Sequence, residues 1–180
     1  MNRLSQKPEL GPAREHAPGA LAALESAYDA AAVAIDARFA ECLRLRVAES
    51  LRMEAPADPA PPASERERAC FDFADQFVVY VPGVTEGQRE AVGVELGRDL
   101  GLELARMIYV FDMTDRLVLS LGRLFEPRAA EDEALAPVDP KPLGVAVDDL
   151  HASAMLLHAL DPVTTELVRL HCARYHDCKT

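Results

Sequence analysis

The residue types best equipped for chemistry crowd the end of the sequence, where Glu166, His171, Cys172, His176 and Cys178 follow one another closely. A thiol reacts as its thiolate, so Cys178 is a useful nucleophile only where a base or the positive end of a dipole lowers its pKa. It also needs a carboxylate or imidazole to carry the proton. Glu166 is the candidate relay, and His176, with Lys179, is the nearest candidate for a supporting cation. A blander account competes with this one. Arg169 stands three residues after Glu166, as Arg44 does after Glu41, so local helical ion pairs explain both glutamates without catalysis. Cys178 alone reads equally as an exposed thiol on a terminal stretch. Cys172 and His176 are one helical turn apart and could share a soft metal such as zinc, but the spacing of His171, Cys172, His176 and Cys178 fits no zinc pattern. No metal or cofactor is therefore expected, and Cys42, Cys70 and Cys172 read as small buried hydrophobes. His151 and His158, seven residues apart, read as surface or packing residues.

The elements that must position these groups are helical. Apolar residues recur at three- and four-residue spacing, while sustained alternation is nearly absent. Residues 1–17, with Pro8, Gly11 and Pro12, read as a mobile arm, and the proline-rich stretches 55–63 and 126–142 read as linkers. A helical region begins at Pro18 and breaks near Asp36, which caps a helix carrying Phe39, Leu43, Val47 and Leu51 on one face. Ser64, with Glu65 and Glu67 behind it, starts a helix that Pro82 and Gly83 stop. Thr85 caps a short helix. Gly97 and Gly101 then bracket a turn before a central buried helix over 102–125, with Leu104, Ile108, Phe111, Leu117, Leu121 and Leu124 inward. Tyr109 and Met113 read as core as well, and Asp112 and Arg116 sit one turn apart there. Two further helices occupy 143–160 and 162–177, the second capped by Asp161 with Pro162 at its first position. The fold class is all-α, with six to eight helices: a helical region over 18–125 and a second unit over 143–180.

Sliding the chain by 125 positions lays 30–53 on 155–178 and makes six pairs identical: Ala34 with Ala159, Asp36 with Asp161, Glu41 with Glu166, Arg44 with Arg169, Leu45 with Leu170 and Ala48 with Ala173. Shared cap, glutamate and arginine point to two degenerate copies of one helical hairpin.

The stretch from Glu166 to Cys178 resembles the active-site segment of the AhpD-like alkylhydroperoxidase and carboxymuconolactone decarboxylase superfamily. There a glutamate is followed, after eleven residues, by Cys-x-x-Cys and a histidine four residues beyond; Glu166 and Cys178 have that spacing. The segment 71–124, with FADQFV, a Gly-Val-Thr turn and YVFDMTDRL, is similar to the later part of the same helical domain. The resemblance implies an AhpD-like fold built from two degenerate repeats around the helix over 102–125. It also implies thiol-dependent reduction of hydroperoxides, with Cys178 as nucleophile and Glu166, helped by His176, as proton relay. In such a site the helix N-terminus favours the thiolate and the second cysteine resolves the oxidised sulfur. Those positions would be 181 and 185, past Thr180, so the resolving thiol is expected from elsewhere, as an external thiol reductant. In the first copy Glu41 persists, but Met53 and Pro56 stand at the cysteine positions, leaving scaffold. Relatives associate through exposed apolar helix faces, so a homo-oligomer is the favoured state. The superfamily also holds lactone decarboxylases without redox cysteines, and the rival expectation is a non-catalytic helical oligomerisation or interaction module on the same scaffold.

Composition narrows the partners. Thirty acidic against nineteen basic residues give a net charge of −11, a field that repels phosphate backbones, so nucleic acid is not expected. With 49% hydrophobic residues in 180 the chain can bury a sizeable core. No apolar run reaches the roughly 18 residues of a spanning helix. The first residues, interrupted by Arg3, Lys7, Glu9 and Arg14, lack a secretory core, and a cytoplasmic protein without membrane contact is expected.

Overall fold

The structure, a computed structural model, describes residues 4, 7–51, 61–126, 141–157 and 161–175. Among the described residues there are seven α-helices and no strand: α1 (Gly11–His16), α2 (Pro18–Ala31), α3 (Ala37–Ser50), α4 (Glu65–Val79), α5 (Glu86–Leu124), α6 (Leu143–Met155) and α7 (Pro162–Tyr175). Short polar side chains start four of them. Asp36 accepts from the Phe39 N–H at 2.8 Å, and Ser64 accepts from the Glu67 N–H at 3.1 Å. Thr85 and Gln88 form a reciprocal capping box, and the Asp161 carboxylate accepts from the N–H groups of Val163 and Thr164, both at 3.0 Å. Each cap supplies an acceptor to N–H groups that the helix itself leaves without one.

Two expectations are corrected by the backbone. The bracketed turn between Gly97 and Gly101 reduces to a single break at Gly97, whose φ of 73° is open to glycine; the helix resumes at once and Gly101 lies inside it. Residues 7–16 are not a free arm. They form a 3-10 turn (Pro8–Leu10) and α1, and Leu4 and Leu10 are buried in the common core against α5. The prolines read as breakers stand in the first turn of short helical segments, where a missing N–H costs nothing. The linkers expected at 55–63 and 126–142 lie largely outside the described residues.

The core is organised around α5, which packs on α2, α3, α4 and α6. Leu104, Met107, Ile108, Val110 and Phe111 supply its buried face, whereas Leu124, expected inward, is exposed at the helix end. Tyr28 of α2 meets Phe111 edge-on at 5.4 Å, and Phe39 of α3 stacks on Phe71 of α4 at 5.6 Å. Arg46 covers that stack, its guanidinium 5.1 Å from the Phe71 ring centre, and pairs with Asp75 at 2.5 Å. Arg116, one turn after Asp112, bonds that carboxylate at 2.9 Å and donates to the Val78 carbonyl at 2.8 Å, tying α5 to the end of α4.

The repeat is visible in the element boundaries. Shifted by 125, α3 falls on α7 residue for residue, and α2 falls on α6 with a difference of one residue at its end. The helices of each pair do not form a closely packed hairpin, however. The extensive contact is between the equivalent helices α2 and α6, and α3 turns instead to α4 and α5.

Candidate functional site

In the second repeat the structure places Glu166 and His171 on α7, both exposed. Cys178 and His176, the candidate nucleophile and its imidazole, lie outside the described residues, as do Lys179 and His158. The approach of Glu166 to Cys178 therefore stands as an expectation. What the structure adds is the setting of α7: none of the substantial helix packing among the described residues involves it. Leu167 and Leu170 are 61% and 51% exposed, although their equivalents in α3, Cys42 and Leu45, are buried.

The first repeat shows what the equivalent glutamate does on a packed helix, where Glu41 itself stays exposed. Arg44 grips Glu41 through two hydrogen bonds, Nε to Oε2 at 3.0 Å and Nη2 to Oε1 at 2.7 Å. This bidentate bond holds the Glu41 carboxyl below the ordinary carboxylate range. The local ion pair expected for this glutamate is present. Arg44 also faces inward, toward the Tyr28 hydroxyl and the Asp115 carboxyl, and Lys7 of the N-terminal segment is the other cation near Asp115. Burial pushes the Tyr28 hydroxyl to about 12 and the Asp115 carboxyl to about 6; for Asp115, Lys7 and Arg44 act in the opposite sense. Asp115 is only 5% exposed, and its Oδ2 has no hydrogen-bond partner among the described residues, nor has the neighbouring Thr114 hydroxyl. A carboxyl held in this way exchanges its proton near neutral pH.

Neither described thiol joins that cluster as a reagent. Cys42 and Cys70 are free and buried, as expected, and burial raises the Cys70 thiol to about 11, leaving it without nucleophilic character at neutral pH. Tyr109, half-buried, shares a hydrogen bond of 3.0 Å with His151, whose ring lies edge-on to it at 5.5 Å, the packing role expected of that histidine.

Asp115 is the residue that sequence reading missed, and its signal lies in spacing. Leu104, Ile108, Phe111, Asp115 and Val118 step along α5 by four, three, four and three residues, so the aspartate occupies an inward position of an otherwise apolar stripe.

An open cleft of about 360 Å3 runs between α2 and α6, lined by Ala22, Ala23, Ser26, Ala152 and Ser153, with Lys141 and Asp149 joined at 2.6 Å along its side. No histidine or cysteine lines it, and its lysine is taken up by the ion pair. Among the described residues no cluster of histidine, cysteine and carboxylate side chains could hold a metal ion, and no helix is long and apolar enough to cross a membrane.

No family model matches the sequence, and no solved structure matches it. Over 151 residues it is 32% identical to two uncharacterized proteins of Mycobacterium tuberculosis, one from strain CDC 1551 / Oshkosh and one from strain ATCC 25618 / H37Rv. The match takes in 80% of this chain and 53% of each relative, so the chain spans about half the length of the curated relatives it matches.

Proposed function

We propose that the chain is a two-repeat helical unit of the AhpD-like kind, related to thiol-dependent hydroperoxide reduction, in which redox chemistry is confined to the second repeat. Cys178 is the nucleophile, Glu166 the proton relay and His176 its helper. The Cys178 thiolate attacks the outer oxygen of an organic hydroperoxide, an S–O bond forms as the O–O bond breaks, and Glu166 passes the proton that turns the leaving alkoxide into an alcohol. An external dithiol then condenses with the sulfenic acid, releasing water, and its second thiol displaces Cys178 as the dithiol leaves oxidised. The unit acts in the cytoplasm as a homo-oligomer.

The observation that carries this reading is the coincidence of α3 and α7 after a shift of 125 residues. It gives Glu166 the helical position of Glu41 but on an exposed helix, with Cys178 three positions after Tyr175 in the sequence, while Cys42 of the first repeat and Cys70 of α4 are closed off in the core. The purified protein should consume cumene hydroperoxide with dithiothreitol as reductant, and Cys178→Ser should abolish that rate while Cys70→Ser leaves it intact. An unchanged rate in Cys178→Ser overturns the proposal.

A second reading, the non-catalytic interaction module, is favoured by the exposed apolar residues of α7. The rate of Cys178 alkylation against pH separates the two. A midpoint near the ordinary value of about 8.5 supports the module, and a strongly depressed one supports the enzyme.

A further inference from the structure

We propose that the exposed face of α7 is a self-complementary interface on which a second copy of this chain docks, its α7 antiparallel to the first. The proposal deepens the homo-oligomer named above and does not depend on the chemistry at Cys178, so association and peroxide consumption are scored separately.

Three observations lead to it. The first comes from the repeat. Cys42 and Leu45 of α3 are buried, and the equivalent positions of α7 carry two leucines, Leu167 and Leu170, that are 61% and 51% exposed. With Val163, 68% exposed, and Arg174 they follow one another by four, three and four residues, which puts all four on one face of the helix. A helix that keeps an inward-type face exposed is built to meet something.

The second is charge. The first half of α7 holds Glu166 and is preceded by the cap Asp161, whereas His171 and Arg174 lie in its second half. A parallel pair of such helices sets like charges and like dipole ends side by side. An antiparallel pair sets each acidic half against a basic one, twice, with the dipoles opposed, and Leu167 of each copy then faces Leu170 of the other. Self-complementarity of this kind is the signature of a twofold contact.

The third is area. The exposed apolar side chains of α7, Val163, Leu167 and Leu170 with Val168 beside them, at roughly 100 Å2 each give about 800 Å2 for two copies, which fits a weak, reversible dimer.

Sedimentation equilibrium on the intact chain tests the proposal. The wild type should pass from monomer to dimer as its concentration rises to about 100 μM. Leu167→Glu with Leu170→Glu should leave a monomer whose helical circular dichroism is unchanged, because both residues are outside the core. Arg174→Glu, which brings a carboxylate close to Asp161 of the other copy, should weaken the dimer about tenfold while leaving the leucine contacts in place. A wild type that stays monomeric, or a dimer indifferent to both variants, overturns the proposal. Should the double variant lose helix content, Arg174→Glu alone decides, with the same two outcomes.

Discussion

Replacing Asp115 by asparagine takes an ionisable group out of the helical core with little change of shape. The carboxyl titrates at about 6 in the folded protein against an ordinary 3.8, because burial disfavours its charge more than Lys7 and Arg44 favour it. The folded state therefore binds this proton more tightly than the unfolded chain does. The resulting stability is fully present below pH 3.8 and is lost as pH rises toward 6. At 1.36 kcal/mol per pH unit the loss is about 3 kcal/mol, a large fraction of the few kcal/mol that hold a domain folded. Asparagine never ionises, so Asp115→Asn should be more stable than the wild type by about 2–3 kcal/mol at neutral pH and nearly equal to it near pH 4. Urea unfolding followed by circular dichroism, on both proteins at both pH values, gives the comparison. Carboxylates such as Glu41, whose pKa is lowered and which stabilise the fold only above it, cancel in the difference. A difference that does not change with pH refutes the reasoning, and a variant less stable at neutral pH means that Arg44 and Lys7 hold Asp115 as a needed anion.

The remaining predictions concern the frame. Gly97→Ala should cost about 1–2 kcal/mol in urea unfolding, because its φ of 73° strains any Cβ, whereas Gly101→Ala, whose Cβ would rest at an ordinary 3.6 Å from Val92, should gain up to about 1 kcal/mol from helix propensity. Asp36→Ala removes the acceptor of the Phe39 N–H and should lower stability by about 1 kcal/mol, read as a fall in Tm. With its thiol near 11, Cys70 should resist iodoacetamide in the native protein at pH 8 and react only after unfolding, as peptide mass spectrometry would show.

Local chemistry was legible before the fold was known. Asp36, Ser64, Thr85 and Asp161 announced the starts of four helices because a cap is decided by a side chain and an N–H three residues away. Cys42 and Cys70 read as core from their apolar neighbours. Misreadings arose where distant segments decide. Pro8, Gly11 and Pro12 look like a loose leader until Leu4 and Leu10 find their places beside α5, a contact between residues about a hundred positions apart. Asp115 carries no local sign of burial, and only the stripe of α5 shows that it points inward. The repeat was seen as a pairing of segments, but nothing along the chain says that α2 would lie on α6 rather than on α3. As for the candidate site, Glu166 is placed on α7, and its link to Cys178, which lies outside the described residues, is an expectation that the resemblance implies.

The groove between α2 and α6 has a practical consequence. Alanines and serines face each other across it, so the two helices pack closely and leave a shallow furrow open to solvent along the contact. Interior positions of a helical protein punish added bulk, whereas this furrow lies at the surface and has room for it. Leucine in place of the half-buried Ala23 would cover part of the furrow without having to fit a closed void, with a gain of about 0.5 kcal/mol. The join between the two halves of the molecule is thus its natural point of reinforcement.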